Sequence, residues 1–192
     1  MKKLLIVLAA IALVGCAGTR FSEKPPSEFP VSKSAKLNTS KVWPLKMKGT
    51  YLQKITATAK GKQQSFSVHL TLDDWMLEAV AFNDMAGRLY NMQWTPDNVY
   101  WDGSPYIPSM VKPEYILVDF LLAQLPINQL QSILKGARVV EQGIQGGKTR
   151  TVYDDKVLRT INYKNPIGSM WGNVIIDNPG IGYRLDIQTV TQ

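Results

Sequence analysis

Side chains able to do chemistry are scarce in this sequence. It holds one cysteine, Cys16, and one histidine, His69. A lone thiol leaves no internal disulfide, and a lone imidazole argues against common zinc sites and Ser-His-Asp constellations. The paired carboxylates Asp73-Asp74 and Asp154-Asp155 sit among turn formers, where solvated acids are the ordinary outcome. No serine has the spacing of a nucleophile elbow. Gly143-Ile144-Gln145-Gly146-Gly147 precedes a strand pattern, so it lacks the helix N-terminus that a phosphate cradle uses. Tyr100, Trp101 and Tyr106 around Asp102-Gly103 would suit a sugar or pigment ring, or would brace a hairpin end. The expectation is a protein that is not an enzyme, with no cofactor and no metal.

The chemistry that remains is covalent attachment at Cys16. Lys2 and Lys3 precede the apolar run Leu4–Val14. A basic start, an apolar stretch and a small residue before the cut are the layout of a secretory signal peptide. As a helix the run spans roughly 16 Å, about half of a ~30 Å hydrocarbon core, too short to cross. Leu13-Val14-Gly15-Cys16 resembles the bacterial lipobox, in which the thiol takes a diacylglycerol, cleavage follows, and the new amine is acylated. Residues 1–15 are therefore expected as a signal peptide and Cys16 as the lipid attachment. An aspartate in the position of Ala17 would hold such a protein in the inner membrane. Alanine resembles the outer-membrane class, so the expected address is the outer membrane, lipid-anchored and facing the periplasm.

The chain has 192 residues, a formal charge of +7 and 45% hydrophobic residues. Loss of residues 1–15, which carry two lysines, leaves 177 residues and a charge of +5. That is one domain plus a tether. The scattered basic excess suits anionic head groups, and an exported, anchored protein is a poor match for nucleic acid. Residues 17–44 contain Pro25, Pro26, Pro30, Pro44 and several serines and lysines. With Cys16 they read as a lipidated flexible tether, 16–44, with a reach of about 30 Å. Phe21, Phe29 and Trp43 are its apolar exceptions, Trp43 being expected on the domain edge. Residues 45–192 read as a single β-rich domain.

Within that domain the period is two. Phe66, Val68, Leu70 and Leu72 alternate with Ser65, Ser67, His69 and Thr71, the pattern of a half-buried antiparallel strand. Thr50–Lys60 is its expected hairpin partner through Gly61-Lys62. Trp75–Phe82, Arg88–Trp94 and Val99–Trp101 continue a meander through turns at Asp73-Asp74, Asn83–Gly87 and Pro96–Asn98. Pro113 and Glu114 open a helix that runs to Leu125. Asn128 is expected to cap a second helix, Gln129–Lys135, closed by Gly136. The first helix is apolar over most of its circumference and must be covered or face a hydrophobic cavity. Strands resume at Arg138–Gln142, Thr149–Tyr153, Val157–Tyr163, Asn173–Ile176 and Tyr183–Thr189. The expected class is mainly β with a helical insertion (α+β), a curved antiparallel sheet or open half-barrel covered by two helices.

This order of lipobox, polar segment, antiparallel strands, apolar helix pair and closing strands resembles the LolA/LolB group of lipoprotein carriers and receptors. Asn178-Pro179-Gly180-Ile181-Gly182-Tyr183-Arg184-Leu185-Asp186-Ile187 is similar to a family of small proteobacterial lipoproteins of undefined function, some encoded with aryl polyene pathways. The resemblance implies a LolB-like open barrel with helices across its mouth. It also implies that Met85, in the Asn83–Gly87 turn, is the protruding membrane-contact side chain, although the proline and leucine of the receptor loop are absent. Independently of it, a curved apolar sheet under an apolar helix is able to house acyl chains at about 0.8 kcal/mol per buried CH₂. The candidate lining is Phe66, Val68, Leu70, Leu77, Met92 and Trp94 from strands, with Ile116, Phe120 and Leu121 from the lid.

The expected function is an outer-membrane-anchored periplasmic lipoprotein that binds or transfers lipid, lipoprotein acyl chains or a polyene-type lipid. Its expected partners are membrane lipid through acylated Cys16, lipid or lipoprotein cargo, and a periplasmic carrier or envelope protein. The alternative is a structural or interaction lipoprotein with a filled core that docks an envelope protein.

Overall fold

A computed structural model describes residues 19–108, 111–167, 169–170 and 172–190. The expected signal peptide, residues 1–15, and Cys16 lie outside the described residues. The chain forms β1 (Thr19–Glu23), β2 (Glu28–Pro30), β3 (Lys36–Asn38), a 3-10 turn at Thr39–Lys41, β4 (Gly49–Ala59) and β5 (Lys62–Leu72). There follow β6 (Leu77–Asn83), β7 (Gly87–Trp94), β8 (Val99–Gly103), α1 (Pro113–Gln124), α2 (Ile127–Ile133) and β9 (Leu134–Lys135). β10 (Arg138–Ile144), β11 (Gly147–Tyr153), β12 (Val157–Tyr163), β13 (Gly172–Asn178) and β14 (Tyr183–Val190) complete the order.

Eleven strands form one antiparallel sheet in the order β1-β8-β7-β6-β5-β4-β14-β13-β12-β11-β10. The sheet is open, with β1 and β10 at its two edges. The mainly β class, the antiparallel sheet and the two helices are as the alternation and the apolar run predict. The β4–β5 turn shows how local sequence sets register. Lys60 and Gly61 both have positive φ, 51° and 72°, the geometry of a two-residue type I′ hairpin whose twist matches its strands. It pairs Ala59 with Lys62 and carries the ladder down to Gly49 and Leu72.

Because paired residues share a face, the register defines one inner surface. One row crosses Phe21, Trp101, Met92, Ala79, Leu70 and Tyr51. Another crosses Phe66, Ile55, Ile187, Val174 and Tyr163. This face, α1, α2 and residues of the N-terminal segment build a single hydrophobic cluster.

The expected flexible tether is corrected over its described part. β1 pairs residue for residue with β8, from Thr19–Gly103 to Glu23–Val99. β2, β3 and β9 form a second, three-stranded sheet. Phe29, Leu37, Val42 and Leu45 are buried, so the segment contributes enough apolar surface to offset its ordering entropy. The Trp43 ring lies 4.7 Å from that of Trp94, and Phe29 lies 5.9 Å from the same indole. Ser32 and Ser34 hydrogen-bond Asp154 in the β11–β12 turn, at 3.4 and 2.5 Å. Residues 24–46 thus form a strap rather than a leash, and the folded unit includes Thr19 instead of starting at residue 45.

α1 begins with Pro113 in its first turn and Glu114 at the positive end of its dipole, as expected. α2 departs from expectation. It starts at Ile127 without a side-chain cap, and Leu134-Lys135 leave the helix to pair with β3. Gly136 has φ +73°, and a Cβ there would meet Ser34 O at 2.1 Å, so the chain reverses where only glycine fits.

Candidate functional site

The nine predicted lining residues converge on one apolar interior. Val68, Leu70, Leu77, Met92, Trp94 and Leu121 are buried, while Phe66, Ile116 and Phe120 are half-buried against the same cluster. Sequence reasoning missed their neighbours on β4 and β14. Ile55 faces Phe66 on one side and Ile187 on the other, and Leu185 faces Ala57. Ile55, Ala57, Leu185 and Ile187 are all half-buried. The middle of the inner face is therefore an apolar strip only partly covered. The alternation of Tyr183, Leu185 and Ile187 was the signal that marks it.

On one side of the strip the interior is apolar and aromatic. Tyr90 and Trp101 stack at 5.0 Å, and Trp94 is enclosed by Phe29 and Trp43. Burial holds the Tyr90 hydroxyl above its ordinary range. On the other side a buried polar clamp fastens α1. Arg150, fully buried, donates to the carbonyls of Leu122 and, at 3.3 Å, Ala123, near the negative end of the helix. Its other face meets Glu141 at 2.6 Å. The Tyr163 hydroxyl donates to Ala123 O at 2.7 Å. Arg159 donates to Asp119 at 2.8 Å, and Tyr183 donates to the second oxygen of that carboxylate. Desolvation pushes the Asp119 carboxyl up, opposed by the Arg159 charge. Burial likewise raises the Tyr163 and Tyr183 hydroxyls.

Clefts open on the surface among the described residues. One, of about 400 Å³, is lined by Lys41, Val42, Trp43, Pro44, Lys46, Pro126, Asn128 and Gln129. Another, of about 510 Å³, lies between the β4–β5 and β13–β14 turns and includes Lys60, Asn178, Tyr183 and Arg184. Neither includes any of the nine candidates.

Met85 stands at the tip of the β6–β7 turn and is 96% exposed. Asn83 Oδ1 accepts from the backbone N–H groups of Met85 and Ala86, each at 3.0 Å, while its Nδ2 donates to Ser65 O. The turn is braced and its apolar side chain points away.

The residues weighed for catalysis are dispersed. His69 is exposed on the outer face, edge-on to Phe82. Asp73 accepts from the N–H groups of Trp75 and Met76, a turn role. Asp154 fastens the strap. The aromatic trio is split, with Trp101 in the core and Tyr106 in solvent. Among the described residues no three His, Cys, Asp or Glu side chains group as for a metal. Among them also, no helix is long and apolar enough to cross a membrane.

Fold and site together define a mainly β domain, an open antiparallel sheet with an apolar inner face beneath two helices. The family described as "Protein of unknown function (DUF3261)" matches residues 50–191, and the chain belongs to that family. No curated protein matches the chain.

Proposed function

We propose that this protein is an envelope lipoprotein that binds or transfers a hydrophobic ligand, acyl chains or a polyene-type lipid, on the inner face of its sheet. The observation that carries the reading is the half-covered strip of Phe66, Ile55, Ile187 and Leu185 between a packed wall and a clamped helix bearing Ile116 and Phe120. Half-buried apolar side chains on a concave face gain about 25 cal/mol per Å² when an acyl chain covers them. No polar motif is needed for that, since such a ligand is recognised by its length and apolarity. In this reading the sheet is a curved half-barrel of LolA/LolB type. Cys16 is acylated, the membrane is the outer one, and the domain faces the periplasm. The nine candidate residues form the floor and the lid.

Native mass spectrometry of gently extracted protein tests it. Lipid adducts in the wild type, reduced by Ile187→Asp, are expected. Protein that carries no lipid and leaves a fluorescent fatty acid unchanged would overturn the reading. A second reading, an interaction lipoprotein with a filled core, is favoured by the enclosure of Trp94 between Phe29 and Trp43. A lipid-free protein with one specific envelope partner would favour it.

A further inference from the structure

The β1 register fixes which end of the domain its own N-terminus leaves. Thr19 pairs with Gly103, Gly103 with Tyr90, and Tyr90 with Ala81. β6 runs on from Ala81 to Asn83 and into the Met85 turn. Thr19 and the Met85 turn are therefore at the same end of the sheet. Only Ala17 and Gly18 separate Cys16 from Thr19. Three Cα steps span at most roughly 11 Å. Asn83 stands two residues beyond Ala81, roughly 7 Å further along the strand. The turn tip thus projects about as far as Cys16 can reach.

From this we propose that the domain rests directly on the bilayer that holds it, with the β6–β7 end against the lipid surface and the β5–β6 end pointing away. The inference rests on the reading that Cys16 is acylated, and adds an orientation to it. A reach of roughly 11 Å leaves no room for a domain swinging on a ~30 Å coil.

The surface at that end has the matching chemistry. Met85 is 96% exposed, Tyr106 71% and Phe82 41%; Tyr106 follows β8, the neighbour of β1, and the other two belong to the β6–β7 hairpin at the same end of the sheet. Tyrosine at a lipid interface buries its ring while the hydroxyl stays wet, and methionine adapts its shape to acyl chains. Arg20 and Arg88 share the single carboxylate of Asp102, at 3.2 and 2.7 Å, so this trio retains one positive charge beside the lipid head groups. Asp84 on the tip is the opposing charge, facing solvent at the turn. The Asn83 bonds hold Met85 outward without help from a membrane, so contact costs little ordering.

The geometry also places the ligand strip with respect to the lipid. α1 follows β8 from this same end, and its Asp119 meets Tyr183 next to Leu185. A chain entering between α1 and β14 from this end comes from the bilayer, without crossing water.

The full-length acylated protein in vesicles of phosphatidylethanolamine and phosphatidylglycerol tests the orientation. A nitroxide is placed at Met85→Cys or at Trp75→Cys, the exposed residue of the opposite turn. The Cys16 thiol is blocked by its lipid. Power saturation against oxygen and a water-soluble nickel chelate should place the label at position 85 at head-group depth and that at 75 in water. A variant with about ten Gly and Ser residues inserted between Gly18 and Thr19, adding ~17 Å of reach, should free position 85 into water. Both labels in water in the uninserted, acylated protein, or position 75 deeper than 85, would overturn the orientation. An unmodified Cys16 in the mass spectrum would overturn the anchoring reading itself.

Discussion

The two walls of the inner face are buried to a similar degree by opposite means. The wall of β5 to β8 is Val68, Leu70, Leu77, Ala79, Ala81, Met92 and Trp94, closed by Phe29 and Trp43 of the strap. The wall of β11 to β13 buries Arg150 and Arg159 and uses them to hold α1 through Asp119 and two carbonyls. Dispersion and water exclusion are nondirectional, so the first wall fixes volume. Charge-assisted bonds are directional, so the second fixes where the helix lies and how far it stands from the sheet. Between them β4 and β14 keep apolar side chains half uncovered. A helix pinned at one wall and a strap packed on the other leave the middle the least covered part of the inner face, which the proposed function takes as the ligand strip.

The comparison breaks most sharply at its apolar side. Trp94→Ala removes the ring on which Phe29 and Trp43 pack and should cost about 4 kcal/mol, read from denaturant unfolding. A loss below about 1 kcal/mol would mean that the first wall is loosely packed. On the polar side Asp119→Leu strands Arg159 in the interior and should cost about 3 kcal/mol. The double change Asp119→Leu with Arg159→Leu should recover most of that, because a buried pair is worth far less than half of it missing costs. If the double variant is as unstable as the single, the clamp is held by more than its charges. Ile187→Ala, on the half-covered strip, should cost only about 1 kcal/mol yet reduce lipid adducts in native mass spectrometry.

The smallest effect concerns the strap. Glu28 bridges Lys36 and Lys135, whose hydrogen bonds hold its carboxyl below the ordinary range. Asp154, bonded first by Ser34 and then by the Lys156 N–H, is lowered as well. A depressed carboxyl contributes stability above its unfolded pKa, and that contribution fades as pH falls through the folded value. Acidification below the usual carboxylate range should therefore raise hydrogen exchange in residues 24–38 before the β5–β8 core responds. Simultaneous loss of both would show strap and core to be one cooperative unit.

Much of the sheet was legible because its signals are local. Alternation marks β5 and β14, Gly61 marks the hairpin although its turn is Lys60-Gly61 rather than the expected Gly61-Lys62, and Pro113 with a continuous apolar run marks α1. The strap was not legible, since three-residue strands around Pro25, Pro26 and Pro30 have no period to detect and owe their shape to Trp94 and β9. Low hydrophobicity there hid how completely Phe29 and Leu37 would be used. The clamp lay in plain view. Arg150 shares a strand face with Val152, and Arg159 shares one with Ile161 and Tyr163, so each arginine sits in register with core residues. An arginine on an apolar face, with an Asp in an apolar helix, points to a buried pair.

The antiparallel pairing of β1 with β8 has a mechanical side. A pull on the chain ahead of Thr19, directed along the strand, loads all the pairs from Thr19–Gly103 to Glu23–Val99 together. That is shear, in which every ladder bond must yield at once, instead of peeling one after another. Such a joint resists tension far better than a zipper of equal length, and behind it the strap adds a second hold at Asp154. The same five residues that extend the sheet therefore also put it in shear under any pull from the N-terminal side.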